Sequence, residues 1–335
     1  MKRFIIVVAI LLVLLASCKP NTEPVAKCVD NVNFASENLK LEVAKALGIS
    51  GEISCEKILE LKSLKIIFKN IGALDGLEHA QNLINIDIAI GKISDISPLS
   101  KLKKLRELRL FSNSISDLSP LKNLSELQVL LLQDNPLTDI SAIANLSKLN
   151  SLNIGANKDG KSQISDISVL GNLSNLKTLI INNNPLDESD LKVLTKLTKL
   201  TNLSLSKLGI SDISSVKDLG QLTRLTLNNN KISDITVLKN LSQLRELQLK
   251  HNQIKNIDSI ETLVNLKNLD LDSNLLADIS VFDKNLGLQD SGDKIKIYFN
   301  CLDTSKGSKA YITIQKLIAL GVKIGYDSPK NSDCP

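Results

Sequence analysis

From Leu61 onward the apolar residues fall into a pattern that repeats. The stretch LRELRLFSNSISDLSPLKNLSE, from Leu105, returns as LQVLLLQDNPLTDISAIANLSK, from Leu127. Both obey the frame L-x-x-L-x-L-x-x-N-x-I-x-D-I-x-x-L. Ten units fit it, beginning at Leu61, Leu83, Leu105, Leu127, Leu149, Leu176, Leu200, Leu222, Leu244 and Leu266. Most are 22 residues long, but the unit from Leu149 takes 27 and the unit from Leu176 takes 24. A partial eleventh keeps Ile295, Ile297 and Asn300 in register. The first three apolar positions of every unit are Leu or Ile, without exception. The L-x-L core alternates with period two, which predicts a short strand in each unit. Stacked units then give a parallel sheet with strands about 4.8 Å apart. No unit can bury its own apolar edge, so stability becomes a sum over neighbours.

A 22-residue period with this frame is identified as a leucine-rich repeat. The phrasing S-D-I-S-P-L and N-L-S further resembles the internalin-like repeats of bacterial surface proteins, over roughly residues 31 to 326. The fold class this predicts is an α/β repeat solenoid: a curved leucine-rich repeat with a parallel inner β-sheet, short 3-10 turns on the outer face, a helical N-cap and a helix-plus-strand C-cap. The resemblance also implies that the inner sheet grips a protein partner. The family's usual carboxy-terminal anchor and immunoglobulin-like domain are not visible in this sequence.

Two polar columns run through the frame. The first is Asn113, Asn135, Asn157, Asn184, Asn230, Asn252, Asn274 and Asn300. A side-chain amide at a turn can satisfy backbone groups that the turn leaves unpaired, so this column is expected to be structural. The second is Asp95, Asp117, Asp139, Asp166, Asp212, Asp234 and Asp278. Each is expected to cap a short helical or 3-10 turn on the outer face. Calcium is the alternative, but calcium-binding repeats are Gly-rich and nine residues long.

Open solenoid ends need caps. SENLKLEVAKALGIS, from Ser36, places Leu39, Val43, Ala46 and Leu47 at helical spacing, with Gly48 as a stop. SKAYITIQKLIALG, from Ser308, reads as a helix ending at Gly321, with Val322 and Ile324 in a closing strand. Cys28 and Cys55 flank the first cap, and Cys301 and Cys334 the second. The two ends lie about 50 Å apart by strand count, which excludes cross-pairing and a shared four-Cys zinc site. Cys28–Cys55 and Cys301–Cys334 are the expected disulfides, with free buried thiols as the alternative.

The first residues, MKRFIIVVAILLVLLASCKP, carry a basic start and an apolar run too short to cross a bilayer. Their end, Leu15-Ala16-Ser17-Cys18, resembles the bacterial lipobox. That resemblance implies cleavage before Cys18 and acylation of its thiol and new amine, and more than one chain is what holds a protein stably at a membrane. The expected organisation is residues 1–17 as lipoprotein signal peptide, 18–27 as lipidated Cys and tether, 28–60 as N-terminal cap, 61–304 as repeats and 305–335 as C-terminal cap. The expected place is the bacterial cell envelope, with the outer membrane or cell surface favoured over the inner membrane because residue 19 is Lys rather than Asp.

Composition narrows the function. Aromatics are 3% and Trp is absent, while apolar residues are 43%, so the core must be aliphatic. The net charge of +5 is small and its acids and bases are mixed along the chain, which argues against nucleic acid as a partner. The two histidines, His79 and His251, fall in the first and ninth units, too far apart to share a site. No phosphate loop, HExxH or GxSxG is present, and no catalytic residue, metal or cofactor is expected. Binding residues should be those the frame does not dictate. On the inner sheet, apolar ones gather early: Ile67, Phe68, Ile90, Phe111, Val129 and Leu131, with Ile180 later and Glu107 and Arg109 bordering Phe111. An apolar cluster with a charged rim marks an interaction site, although Phe68 and Ile90 could instead turn into the core. The extra residues after Asn157, KDGKSQ, are a candidate binding-side loop or a neutral insertion. The sequence therefore predicts a lipid-anchored, adhesin-like monomer binding a protein on its concave face. The alternative is an assembly factor inside the envelope, holding a resident envelope protein.

Overall fold

The computed structural model describes residues 30–67, 69–157 and 161–327. The L-x-L segments form twelve strands: β1 (Ser63–Ile67), β2 (Asn85–Ala89), β3 (Glu107–Arg109), β4 (Val129–Leu131), β5 (Ser151–Asn153), β6 (Thr178–Ile180), β7 (Asn202–Ser204), β8 (Arg224–Thr226), β9 (Glu246–Gln248), β10 (Asn268–Asp270), β11 (Lys294–Lys296) and β12 (Lys323–Gly325). They make one parallel sheet in strict chain order. Successive strands pair one unit apart, Arg109 opposite Leu131 and Leu131 opposite Asn153, so like positions stack in rows. The middle residue of each strand points into the core. Leu108, Leu130, Leu152, Leu179, Leu203, Leu225 and Leu247 are all fully buried. Each such side chain is worth about 1.5–3 kcal/mol relative to exposure.

Between strands the chain returns through 3-10 turns such as Ser97–Lys101, Ser119–Leu121 and Ser141–Ile143. The Asp column serves these turns from one position earlier than a cap. Asp95, Asp117, Asp139 and Asp212 each accept the backbone N–H of the Ser two residues on, at 2.7 Å, while the N-cap position itself is an Ile or Leu. The unit from Leu176, whose sequence DESDLKVLTKL suggests an α-helical turn, instead carries a long 3-10 segment, Asp190–Lys196.

The Asn column works as a ladder through the core. Asn135 is fully buried and donates to the carbonyls of Leu110 and Leu132, one unit back and in its own turn, while accepting the N–H of Ile115. Asn113, Asn230, Asn252, Asn274 and Asn300 do the same in their units. The residue before each Asn is left-handed without being glycine: Ser112, Asp134, Asn183, Asn229, His251, Ser273 and Phe299 have φ between 54° and 61°. Asn157 breaks the rule. It is exposed and bonds Asp134 instead, through its backbone N–H and its amide at 2.7 and 2.8 Å. The five extra residues that follow move the chain out of register, and buried Ser162 donates to Asn184 Oδ1 at 2.6 Å in the place the ladder leaves.

Both caps form. Helix α1 (Glu37–Ala46) starts at Ser36, whose hydroxyl accepts the N–H of Leu39. It buries Leu39, Val43 and Ala44 against the first repeat, whereas Ala46 is exposed and Leu47 half-buried. Helix α2 (Lys309–Ala319) starts at Ser308 and buries Ile314 and Leu317 at the other end, and left-handed Gly321 turns the chain into β12. Cys55 and Cys301 are both disulfide-bonded. Cys18, Cys28 and Cys334 lie outside the described residues.

Candidate protein-binding face

The outward residues of the strands form rows along the concave sheet. One row reads Asp87, Arg109, Leu131, Asn153, Ile180, Ser204, and its neighbour reads Asn85, Glu107, Val129, Ser151, Thr178. Glu107, Arg109, Phe111, Val129 and Leu131 are therefore brought together on β3, β4 and the residues just after β3. All five are half-buried. None of the three apolar ones is among the half-buried side chains that pack on the core, so their open faces line the concavity. Arg109 Nη1 donates to Glu107 Oε2 at 2.6 Å, which leaves a neutral, hydrogen-bonded rim beside the apolar patch.

The other predicted residues flank this cluster. Ile67, at the end of β1, is 40% exposed. Ile180 shares the row of Leu131 but lies beyond Asn153 on β5. Ile90 does not turn into the core. It is 42% exposed and left-handed, in the turn after β2, where it lines a pocket of about 310 Å³ with Lys92, Ser112, Asn113, Asp134 and Lys161. Phe68 and residues 158–160 lie outside the described residues.

Two features of this face had no place in the sequence reading. Asp87 Oδ1 and Gln133 Oε1, in the strands and turns around the cluster, are buried acceptors without a donor among the described residues. At the far end, Phe299 is 71% exposed beside Tyr298, with ring centroids 6.4 Å apart. Its signal was available: Phe299 occupies the left-handed turn position that is Ser, Asp, Asn, Lys or His in most other units. The polar far half of the face is self-paired, Arg224 with Glu246 at 2.8 Å and Lys296 with Asp270 at 3.8 Å. Burial pushes the Asp272 carboxyl above the ordinary range, with Asp270 adding to it.

Among the described residues no three His, Cys, Asp or Glu side chains converge as metal ligands, and no helix is long and apolar enough to cross a membrane. His251 is exposed at its turn, and His79 lies 3.6 Å from Glu78.

A stacked parallel sheet, one strand per unit, with an asparagine ladder behind it, defines a leucine-rich repeat solenoid. A sequence model of leucine-rich repeats (two copies) matches residues 81–123 and 242–284. Among solved structures, an internalin (inlF) of Listeria monocytogenes is 30% identical, with a TM-score of 0.73 over 91% of this chain and 95% of its own. Internalin C2 of the same organism is also 30% identical, with a TM-score of 0.58 over 67% of this chain and 100% of its own. The ectodomain of the Arabidopsis thaliana receptor kinase GASSHO1/SCHENGEN3, solved in complex with Casparian strip integrity factor 2, is 25% identical with a TM-score of 0.57, over 72% of this chain and 30% of its own. A comparison with curated protein sequences gave no match. The chain belongs to the internalin family of leucine-rich repeat proteins. Proteins of this repeat class mediate protein–protein binding.

Proposed function

We propose that this chain is an exported, lipid-anchored binding module that seats a protein partner on the concave sheet at β3 and β4. The observation that carries this reading is the half-buried set Phe111, Val129 and Leu131, which faces the concavity rather than the core and is bordered by the Glu107–Arg109 pair. Aromatic and apolar side chains inside a polar rim are the composition of an interface centre. The plant receptor ectodomain of the same repeat class was solved in complex with Casparian strip integrity factor 2, which supports this use of the fold. In this reading Cys18 carries the lipid, residues 19–27 are the tether, Cys28–Cys55 and Cys301–Cys334 fasten the two caps, and the module acts as a monomer in an adhesin-like role. The alternative places the same module inside the envelope, on a resident protein.

A photo-crosslinking amino acid at position 131, compared in cells with one at outer-face Lys239, tests the binding face. A discrete adduct at position 131 alone, lost when Phe111 and Val129 are changed to Ala, is the expected result. The same adducts from both positions would sink the assignment. Protease added to intact cells separates the two settings: loss of the protein fits the adhesin-like role, and protection until the envelope is broken fits the internal one. Mass spectrometry that finds no acyl group on Cys18 of the membrane-bound chain would remove the anchor from the reading.

A further inference from the structure

Charge that is mixed along the sequence is sorted across the width of the solenoid. Each unit crosses two edges: a leading edge between its 3-10 turn and the next strand, and a trailing edge between a strand and the following turn. The leading edge before β3 to β5 carries Lys101, Lys103, Lys104, Arg106, Lys122 and Lys148. Lys177, Lys196 and Lys199 continue it to β7. Glu126 is the one acid on this stretch. The trailing edge of the same units carries Asp95, Asp117, Asp134, Asp139, Asp166 and Asp187. Against these acids the described part of that edge sets only Lys92 and Lys161.

The cations of the leading edge are exposed. Among the described residues, only Lys148 has a carboxylate partner, Glu126 at 2.6 Å. Lys104 and Lys199 donate to the neutral amides of Asn82 and Asn175. Lys103 keeps an exposed side chain, but partial desolvation by its neighbours pulls it below the usual lysine range, and the ammonium of Lys101 adds to it. Like charges crowded this way repel, and the fold keeps them without neutralising them. The stretch also lacks the centre of a protein interface. None of the exposed large apolar side chains, which include Ile67, Ile90, Val264 and Phe299, lies on this edge between Lys101 and Lys199. No aromatic ring is there to stack on a base or a sugar. It is an edge rather than a groove, and from β3 to β7 it runs for about 19 Å over four strand spacings.

We infer that the leading edge between Lys101 and Lys199 is a docking surface for an anionic phospholipid membrane, on which the solenoid lies edge-on with its concave face turned sideways. Charge complementarity carries the choice of occupant: lysines near an anionic surface attract it collectively and within about one screening length. This contact is separate from an N-terminal lipid. A lipid or an apolar leader favours neutral and anionic bilayers alike, whereas the edge distinguishes them.

The test uses the full chain with phosphatidylcholine vesicles and with vesicles of phosphatidylcholine and phosphatidylglycerol in equal parts. The expected result is a preference of about tenfold or more for the anionic vesicles at low salt, falling away when salt shortens the screening length to about 3 Å. Changing Lys101, Lys103 and Lys122 together to Gln should cut that preference about tenfold or more. Changing Lys92, Lys231 and Lys255 to Gln removes the same charge from the trailing edge and should leave the preference within about twofold. Far-UV circular dichroism of both triple variants confirms the fold. Equal partitioning of the unaltered chain overturns the inference, and so does an equal loss in the two triple variants, which would reduce the effect to net charge. Binding to poly-glutamate without a preference for anionic vesicles would hand the edge to an acidic polymer and overturn the membrane assignment.

Discussion

At the scale of single residues, two asparagines that look alike in the frame have opposite surroundings. Asn135 is fully buried and holds three backbone groups, whereas Asn157 is exposed and among the described residues bonds only Asp134. An orphaned buried backbone group costs about 1–3 kcal/mol. Leu110 O keeps a second donor in Asn113, so Asn135→Ala strands the Leu132 carbonyl and the Ile115 N–H. Urea unfolding should show a loss of about 2–4 kcal/mol for Asn135→Ala and under about 1 kcal/mol for Asn157→Ala. Equal losses would mean that the ladder does not set the difference. The sequence showed the insertion after Asn157 but not its effect, because Asn157 itself still sits at the frame's spacing from Leu152 and the displacement is set by the chain that follows. The outward placement of the candidate residues was legible to a similar depth. Phe111, Val129 and Leu131 follow from the period-two alternation alone, because the frame assigns the positions beside them to the core. Ile90 does not follow, because its outward turn depends on a left-handed backbone that a β-branched residue rarely adopts.

At the scale of the element, the 3-10 turns depend on carboxylates in their charged form. Asp117, Asp166, Asp234 and Asp278 are held below the ordinary carboxylate range, first by the backbone N–H of Ser119, Ser168, Thr236 and Ser280. The hydroxyl of the same residue adds to each. A depressed folded-state value means that the unfolded chain binds the proton first. The stabilisation is therefore whole above the unfolded value of about 3.9 and is lost as pH falls through the lower folded values. Thermal midpoints measured between neutral pH and pH about 3 should fall at the acid end. A chain with these four Asp changed to Asn keeps an acceptor oxygen at each turn, and its midpoint should fall less over the same range. An unchanged acid slope in that chain would place the titration elsewhere. The turns themselves were legible, since Asp before Ile-Ser or Leu-Ser recurs with the period. Their geometry was not: the Asp bonds the residue two ahead, so the cap position proper is filled by an apolar residue that faces the core.

At the scale of the whole molecule, a one-dimensional stack makes a prediction that a globule would not. Unit eight, residues 222–243, has the regular 22-residue length, and its strand β8 pairs in parallel with β7 on one side and β9 on the other. It buries Leu222, Leu225, Leu227, Ile232, Ile235, Leu238 and Leu241 at 2% exposure or less. Its left-handed turn at Asn229 and its ladder residue Asn230 have equivalents in the next unit, His251 and Asn252. Removing residues 222–243 therefore sets the unit from Leu200 against the unit from Leu244 with register intact. Leu205 O, which accepts from Asn230, is then reached by Asn252, and the row of Ser204 continues into Gln248. Because stability in such arrays is a sum over units and their interfaces, the shortened chain should fold with the same far-UV spectrum per residue. Its urea dependence should fall by about a tenth, in line with the surface no longer exposed on unfolding. Removing residues 305–335 takes away much less of the repeat core, yet it uncovers the end that Ile314 and Leu317 close, and a solenoid with an open end loses solubility and cooperativity. The expected order is thus inverted relative to the amount of repeat core removed: the chain lacking a whole internal unit stays monomeric and unfolds in one transition, and the chain lacking only its cap does not. Size-exclusion chromatography beside urea unfolding reads both outcomes. If the internal deletion aggregated while the cap deletion behaved normally, the stacking rule that organises this molecule would be wrong.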